Sequence, residues 1–181
     1  MKSKLIVLSL VVTLLTSVAA PSFAGRAQAA APVAAVHVAS AVHTHPAFLD
    51  KTRFLLHVGL GFGAFHRYVY ARYRNGSFAA GAPKRTSNLI KAAIALVFTI
   101  HEFKVAYGIA ENSNSKTLQA IVRPLNNLAG QASYLTTKFK RGQYNPSDVQ
   151  ALNNNANQFQ SFAANQGYKI SDRTVTVPGA A

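Results

Sequence analysis

The sequence predicts an all-α protein, a four-helix up-and-down bundle with helices at about 47–74, 86–110, 116–141 and 146–166. Three observations carry that expectation. Four stretches repeat their apolar residues at spacings of three and four, the period of an amphipathic helix. The links between them are short and rich in Gly, Asn, Ser and Pro, which sets successive helices antiparallel. There is no cysteine in 181 residues, so packing alone must hold the domain together.

The first 24 residues read as an export signal rather than as part of the fold. Lys2 and Lys4 form a positive start, and Leu5 to Val12 is apolar apart from Ser9. Pro21 and Ser22-Phe23-Ala24 follow, with small residues where a signal peptidase cuts, and cleavage is expected after about Ala24. The apolar run is short for a membrane span, which takes about 20 residues. A periplasmic, cell-envelope or secreted location is therefore expected. Residues 25–46, rich in Ala and Val with His37, His43 and His45, hold no helical period and read as a flexible tether.

The bundle domain is expected at 47–167. In its first helix Leu55, Val58, Phe62, Phe65 and Val69 share one face, and Leu56, Leu60 and Ala64 share another. Gly59 and Gly63 stand four apart, with Gly61 between them. Each glycine costs a helix about 1 kcal/mol relative to alanine. The expected compensation is close approach of another backbone, as in small-xxx-small helix contacts, within the chain or in a homo-oligomer or protein partner. Asn75-Gly76 ends this helix.

The second helix is expected to be capped by Thr86 or Ser87. Ala92 to Ile100 is apolar nearly all round, with a polar strip of Lys91, Thr99 and Glu102, so this helix is buried. Its charges argue against a span. His101 reads as a core histidine. The third helix, after Ser115, carries a seam of Leu118, Ile121, Leu125, Leu128, Ala132, Leu135 and Phe139, with Pro124 within it. The fourth opens with Asn145-Pro146, carries a seam of Val149, Leu152, Ala156, Phe159 and Ala163, and closes at Gly167. Its outer face holds Asn153, Asn154, Asn155, Asn157 and Gln160. Residues 168–181 read as a loose C-terminal tail.

Charge gives the functional expectation. The chain has 19 Lys and Arg against 5 Asp and Glu; without Lys2 and Lys4 the surplus is 12. Such a field draws polyanions. In an up-and-down bundle the first and third turns lie at one end. That would gather Arg72, Arg74, Lys84 and Arg85 with Lys138, Lys140 and Arg141, among Tyr70, Tyr73, Phe78, Tyr134 and Tyr144. The other end would collect Asp50, Glu111 and Asp172. Cations at helix C-termini also answer the helix dipole. Lys84 and Arg85 precede a helix, where cations are not favoured, and so point most directly to a ligand. The expected partner is an anionic polymer or membrane surface; no specific nucleic-acid motif is present.

Two other readings compete. His57, His66 and His101 are candidate ligands for a metal or haem, although His57 and His66 fall on opposite sides of a straight helix. The two-faced first helix also suits a helical component of a membrane-associated complex. No enzyme and no cofactor are expected: carboxylates are few, and there is neither a Cys nucleophile nor a Gly-flanked Ser elbow.

Overall fold

The computed structural model describes residues 47–181; the stretches expected to be an export signal and a tether, with His37, His43 and His45, lie outside the described residues. The first rod is built from α1 (Ala47–Phe65), a π-helical turn (His66–Tyr70) and a final turn α2 (Ala71–Arg74). α3 (Arg85–Glu111), α4 (Lys116–Lys140) and α5 (Pro146–Asn165) complete four helical rods, and no strand occurs among the described residues.

Local chemistry sets most of the ends. The Ser115 side chain accepts from the Leu118 amide and starts α4. The Asn145 side chain accepts from the Ser147 amide, with Pro146 in the first position of α5. Gly142 and Gly167 adopt positive φ, 69° and 81°, where the chain reverses after α4 and α5. α4 continues as helix through Pro124. α3 departs from expectation. Its first residue is Arg85, and the cap position is held by Lys84 in the left-handed region with no side-chain cap, so Thr86 and Ser87 do not cap.

The core joins the four rods at both ends. Phe54, Val58, Phe62, Phe65 and Val69 of the first rod meet Leu89, Leu96 and Phe103 of α3, and every residue of the expected α4 and α5 seams is buried. Phe62 sits between Phe103 and Phe159, with ring centres 5.1 and 6.0 Å away. At one end Tyr168 packs its ring against Phe54, and its hydroxyl lies 3.2 Å from the Ser115 hydroxyl. No helix among the described residues is long and apolar enough to cross a membrane, which removes a span by α3.

Two inward faces correct the sequence reading. On α3 the polar strip turns inward: Thr99 and Glu102 are buried, whereas His101 is exposed. His101 is therefore not a core histidine. Polar groups can enter the interior when bonded. The Thr99 hydroxyl lies 3.0 Å from the Ala95 carbonyl and 3.2 Å from the Gly61 carbonyl, and Glu102 bonds His57. On α5, Asn153 is buried rather than part of the outer face.

The largest correction concerns residues 168–181, which are not a loose tail. They form a strap along the first rod. The Arg173 amide donates to the Gly59 carbonyl at 2.9 Å, Tyr68 donates to the Val175 carbonyl, and Arg72 donates to the Ala180 carbonyl at 2.7 Å. Val177 and Ala180 are buried. This strap, not another helix, covers Gly59 and Gly63. A β-carbon on Gly63 would stand 1.9 Å from the Arg173 carbonyl oxygen, and one on Gly59 would stand 2.6 Å from that of Ser171. Gly61 faces α3, where a β-carbon would meet the Phe103 ring at 2.6 Å. The glycine face is thus filled by the chain's own C-terminal segment, which supplies the close backbone expected there.

Candidate functional site

The two turns that carry most of the expected basic residues are neighbours. Phe78, fully buried in the turn after α2, packs against Phe139 and Tyr144 with ring centres 5.1 and 5.5 Å away. Arg85 ties the same turns together through the backbone. Its Nε donates to the Phe78 carbonyl at 2.9 Å and its Nη2 to the Gly142 carbonyl at 3.3 Å. The seven expected anion-binding residues then divide by what they touch.

Three have partners within the fold. Arg85 holds the two turns. Arg72 holds the strap, and burial lowers its pKa, with the nearby Tyr68 acting the other way. Lys138 donates to Asp148 at 2.6 Å and lies over the Tyr134 ring at 4.9 Å. The other four, Arg74, Lys84, Lys140 and Arg141, are exposed and form no side-chain hydrogen bond or salt bridge among the described residues. The cation in the third turn nearest a carboxylate is therefore neutralised, and the outermost cations are not.

Lys84 has a second peculiarity. Its φ of 55° is the one positive value at a non-glycine residue among the described residues. A side chain in that region costs about 1–2 kcal/mol. Lys84→Gly is expected to raise stability by about 1 kcal/mol in chemical denaturation. The same substitution removes a free cation from the pole, so fold and charge place opposite demands on this position.

The pole is sensitive to alkali. Burial raises the Tyr144 pKa above 10.0, Tyr73 adds to the rise and Arg85 opposes it. The bond to Asp148 raises the Lys138 pKa above 10.5, with Tyr134 contributing in the same direction. Both groups hold their protons longer in the folded chain than in the unfolded one. Stability therefore falls as pH rises from about 10 through the raised folded values. Melting temperatures measured above pH ~10 should fall less steeply for Tyr144→Phe than for the parent chain.

The histidines have separate surroundings. His57 Nδ1 lies 2.7 Å from Glu102 Oε2, and His66 Nδ1 lies 2.6 Å from Asp172 Oδ2. In each, the carboxylate orients the ring and leaves Nε2 facing away, as in metal sites where an outer carboxylate fixes a histidine ligand. No group of three ligating side chains forms among the described residues, and His101 is exposed without a bonded partner among them. Asp172 lies beside His66 on the first rod rather than at the end opposite the pole, which corrects its expected place. The His57–Glu102 pair resembles the base and orienting acid of a nucleophilic triad. The hydroxyl on the adjacent turn, Thr99, is instead engaged with two backbone carbonyls.

Sequence reasoning missed the histidine pairs and the strap. Residues 57 and 102 are 45 positions apart, and only the register of α1 on α3 brings them together. Five residues of wider π-helical turn start at His66, with the Ala71 amide reaching the His66 carbonyl. Such turns interrupt the helical period and have no simple sequence signal. Comparison with family models, with curated proteins and with solved structures finds no match to this chain.

Proposed function

We propose that this chain is an exported, non-enzymatic helical-bundle protein that docks an anionic polymer or membrane surface of the envelope or exterior through its basic pole. The export part is supported by the sequence before Gly25 alone. The observation that carries the docking part is the exposure of Arg74, Lys84, Lys140 and Arg141 on two turns clasped by Arg85 and Phe78, with no carboxylate bonded to any of the four among the described residues. The nearest acid in the turn, Asp148, is already taken by Lys138. Free cations grouped on one rigid end attract a polyanion and release its counterions.

The choice of variants follows from the geometry. Arg85 clasps two turns, so replacing it tests the fold as much as the charge. Lys84→Ala and Arg141→Ala remove exposed cations only. On duplex DNA used as a generic polyanion, each should reduce the slope of log affinity against log salt by about one, and the double variant should elute from a heparin matrix at lower salt. Elution of the double variant at the same salt as the parent chain contradicts the proposal.

A further inference from the structure

We propose that the groove between α4 and α5 is a second binding site, one that takes an uncharged glycan chain. Two depressions lie along the seam of these helices, one bounded by Pro124 and Phe162 and one by Tyr134 and Asp148, and a third adjoins them on the neighbouring face of α4. The first of these, open to solvent, has a volume of about 290 Å³. From Pro124 to Tyr134 the α4 wall rises about 15 Å at the helical repeat, the length of a short oligosaccharide.

Three features of the lining select the ligand class. The first is charge. In a protein with a formal net charge of +14, the groove lining holds one residue charged at neutral pH, Asp148, and Lys138 pairs with it. A polyanion would find no free cation among these lining residues.

The second is hydrogen-bonding capacity. Asn127, Gln131, Asn155 and Gln158 line the groove, and each carboxamide offers two N–H donors and a carbonyl acceptor. Asn155 donates to the Gln131 carbonyl across the seam at 2.8 Å. That bond fixes the orientation of both amides and leaves the Gln131 amino group and the Asn155 carbonyl for a ligand. Asn127 and Gln158 make no side-chain bond among the described residues. Paired donors and acceptors without charge match sugar hydroxyls, which both donate and accept. Phe162, 37% exposed, offers an apolar ring face at one end for the C–H face of a sugar, and Tyr134, 57% exposed with Lys138 over one face of its ring, offers the other face at the opposite end.

The third is Gly130. It lies inside α4, where glycine costs about 1 kcal/mol relative to alanine. Unlike Gly59, Gly61 and Gly63, it has no close neighbour, and a β-carbon there would meet nothing within 4 Å. It lines the groove beside Tyr134. Packing gives no reason for a glycine at this position; keeping the α4 face beside the seam open does.

The test is an NMR titration of the full chain with three uncharged hexasaccharides: β-1,4-linked glucose, β-1,4-linked N-acetylglucosamine and α-1,4-linked glucose. The proposal expects at least one of them to shift the amide signals of Gly130, Gln131 and Asn155. It expects that affinity to hold between about 50 and about 500 mM salt, which separates it from binding at the basic pole. Tyr134→Ala combined with Phe162→Ala should weaken it about tenfold or more, a loss of about 1.4 kcal/mol. Gly130→Leu should abolish it while leaving the melting temperature unchanged or higher. Shifts confined to other surfaces, affinity lost with salt, full affinity in Gly130→Leu, or no response to any of the three sugars each overturn it.

Discussion

Phe78→Ala is expected to destabilise the domain by about 3–5 kcal/mol, the range for removing a large aromatic side chain from a core. The figure is large for a residue in a turn. Phe78 lies outside any helix, yet it is fully buried and inserts between Phe139 at the end of α4 and Tyr144 before α5. Its truncation would leave a cavity where two turns meet, with little chance of collapse because Arg85 holds the backbone on both sides. Urea unfolding monitored by circular dichroism measures the loss. A cost below about 1 kcal/mol, as for a typical surface substitution, would show that Phe78 is not the wedge between the turns.

The second large effect is expected at Gly63. Alanine in a helix interior gains about 1 kcal/mol over glycine from propensity. At Gly63 this gain is outweighed, because the new methyl would lie 1.9 Å from a backbone oxygen that no rotamer change can move. The strap must lift, which endangers the Arg173 bond to Gly59 and uncovers Val177 and Ala180. Gly63→Ala should cost about 1–3 kcal/mol and speed hydrogen exchange at the Arg173 amide. Gly108 serves as the control. It lies in α3 with nothing near its missing β-carbon, and Gly108→Ala should stabilise by about 0.5–1 kcal/mol. Equal gains at both positions would mean that the strap does not press on the first rod.

These two residues show what the sequence could and could not reveal. Helix positions were legible because they depend on local patterns. The α4 seam from Leu118 to Phe139 has an uninterrupted period, and Ser115 and Asn145-Pro146 mark starts by side-chain chemistry that needs no distant partner. The adjacency of the first and third turns was legible too, since short links fix antiparallel order.

The glycine face was legible as a close approach but not as to its occupant. A missing β-carbon suits a helix and an extended strap equally, and residues 168–181 have no periodicity to announce that they pack. A cation before a helix is disfavoured, which by sequence alone points to a ligand for Arg85. Its actual reason is a pair of carbonyls, one of them 57 residues away. A helix apolar nearly all round, as α3 is, predicts an inward His101, yet His101 is exposed. The face that went inward instead was the one whose polar groups found partners, Thr99 on a backbone carbonyl of α1 and Glu102 on His57. Partner choice across an interface is a property of register, and register is not written in either helix alone.

The proposed docking surface requires that two loops distant in sequence share one end of the molecule. Proton cross-relaxation in solution reads this directly. The ring protons of Phe78 should show strong contacts with those of Phe139 and Tyr144, as centroid separations of 5.1 and 5.5 Å require. A Phe78 ring in contact only with residues of its own turn would contradict the account and leave the free cations of the two loops without a common face.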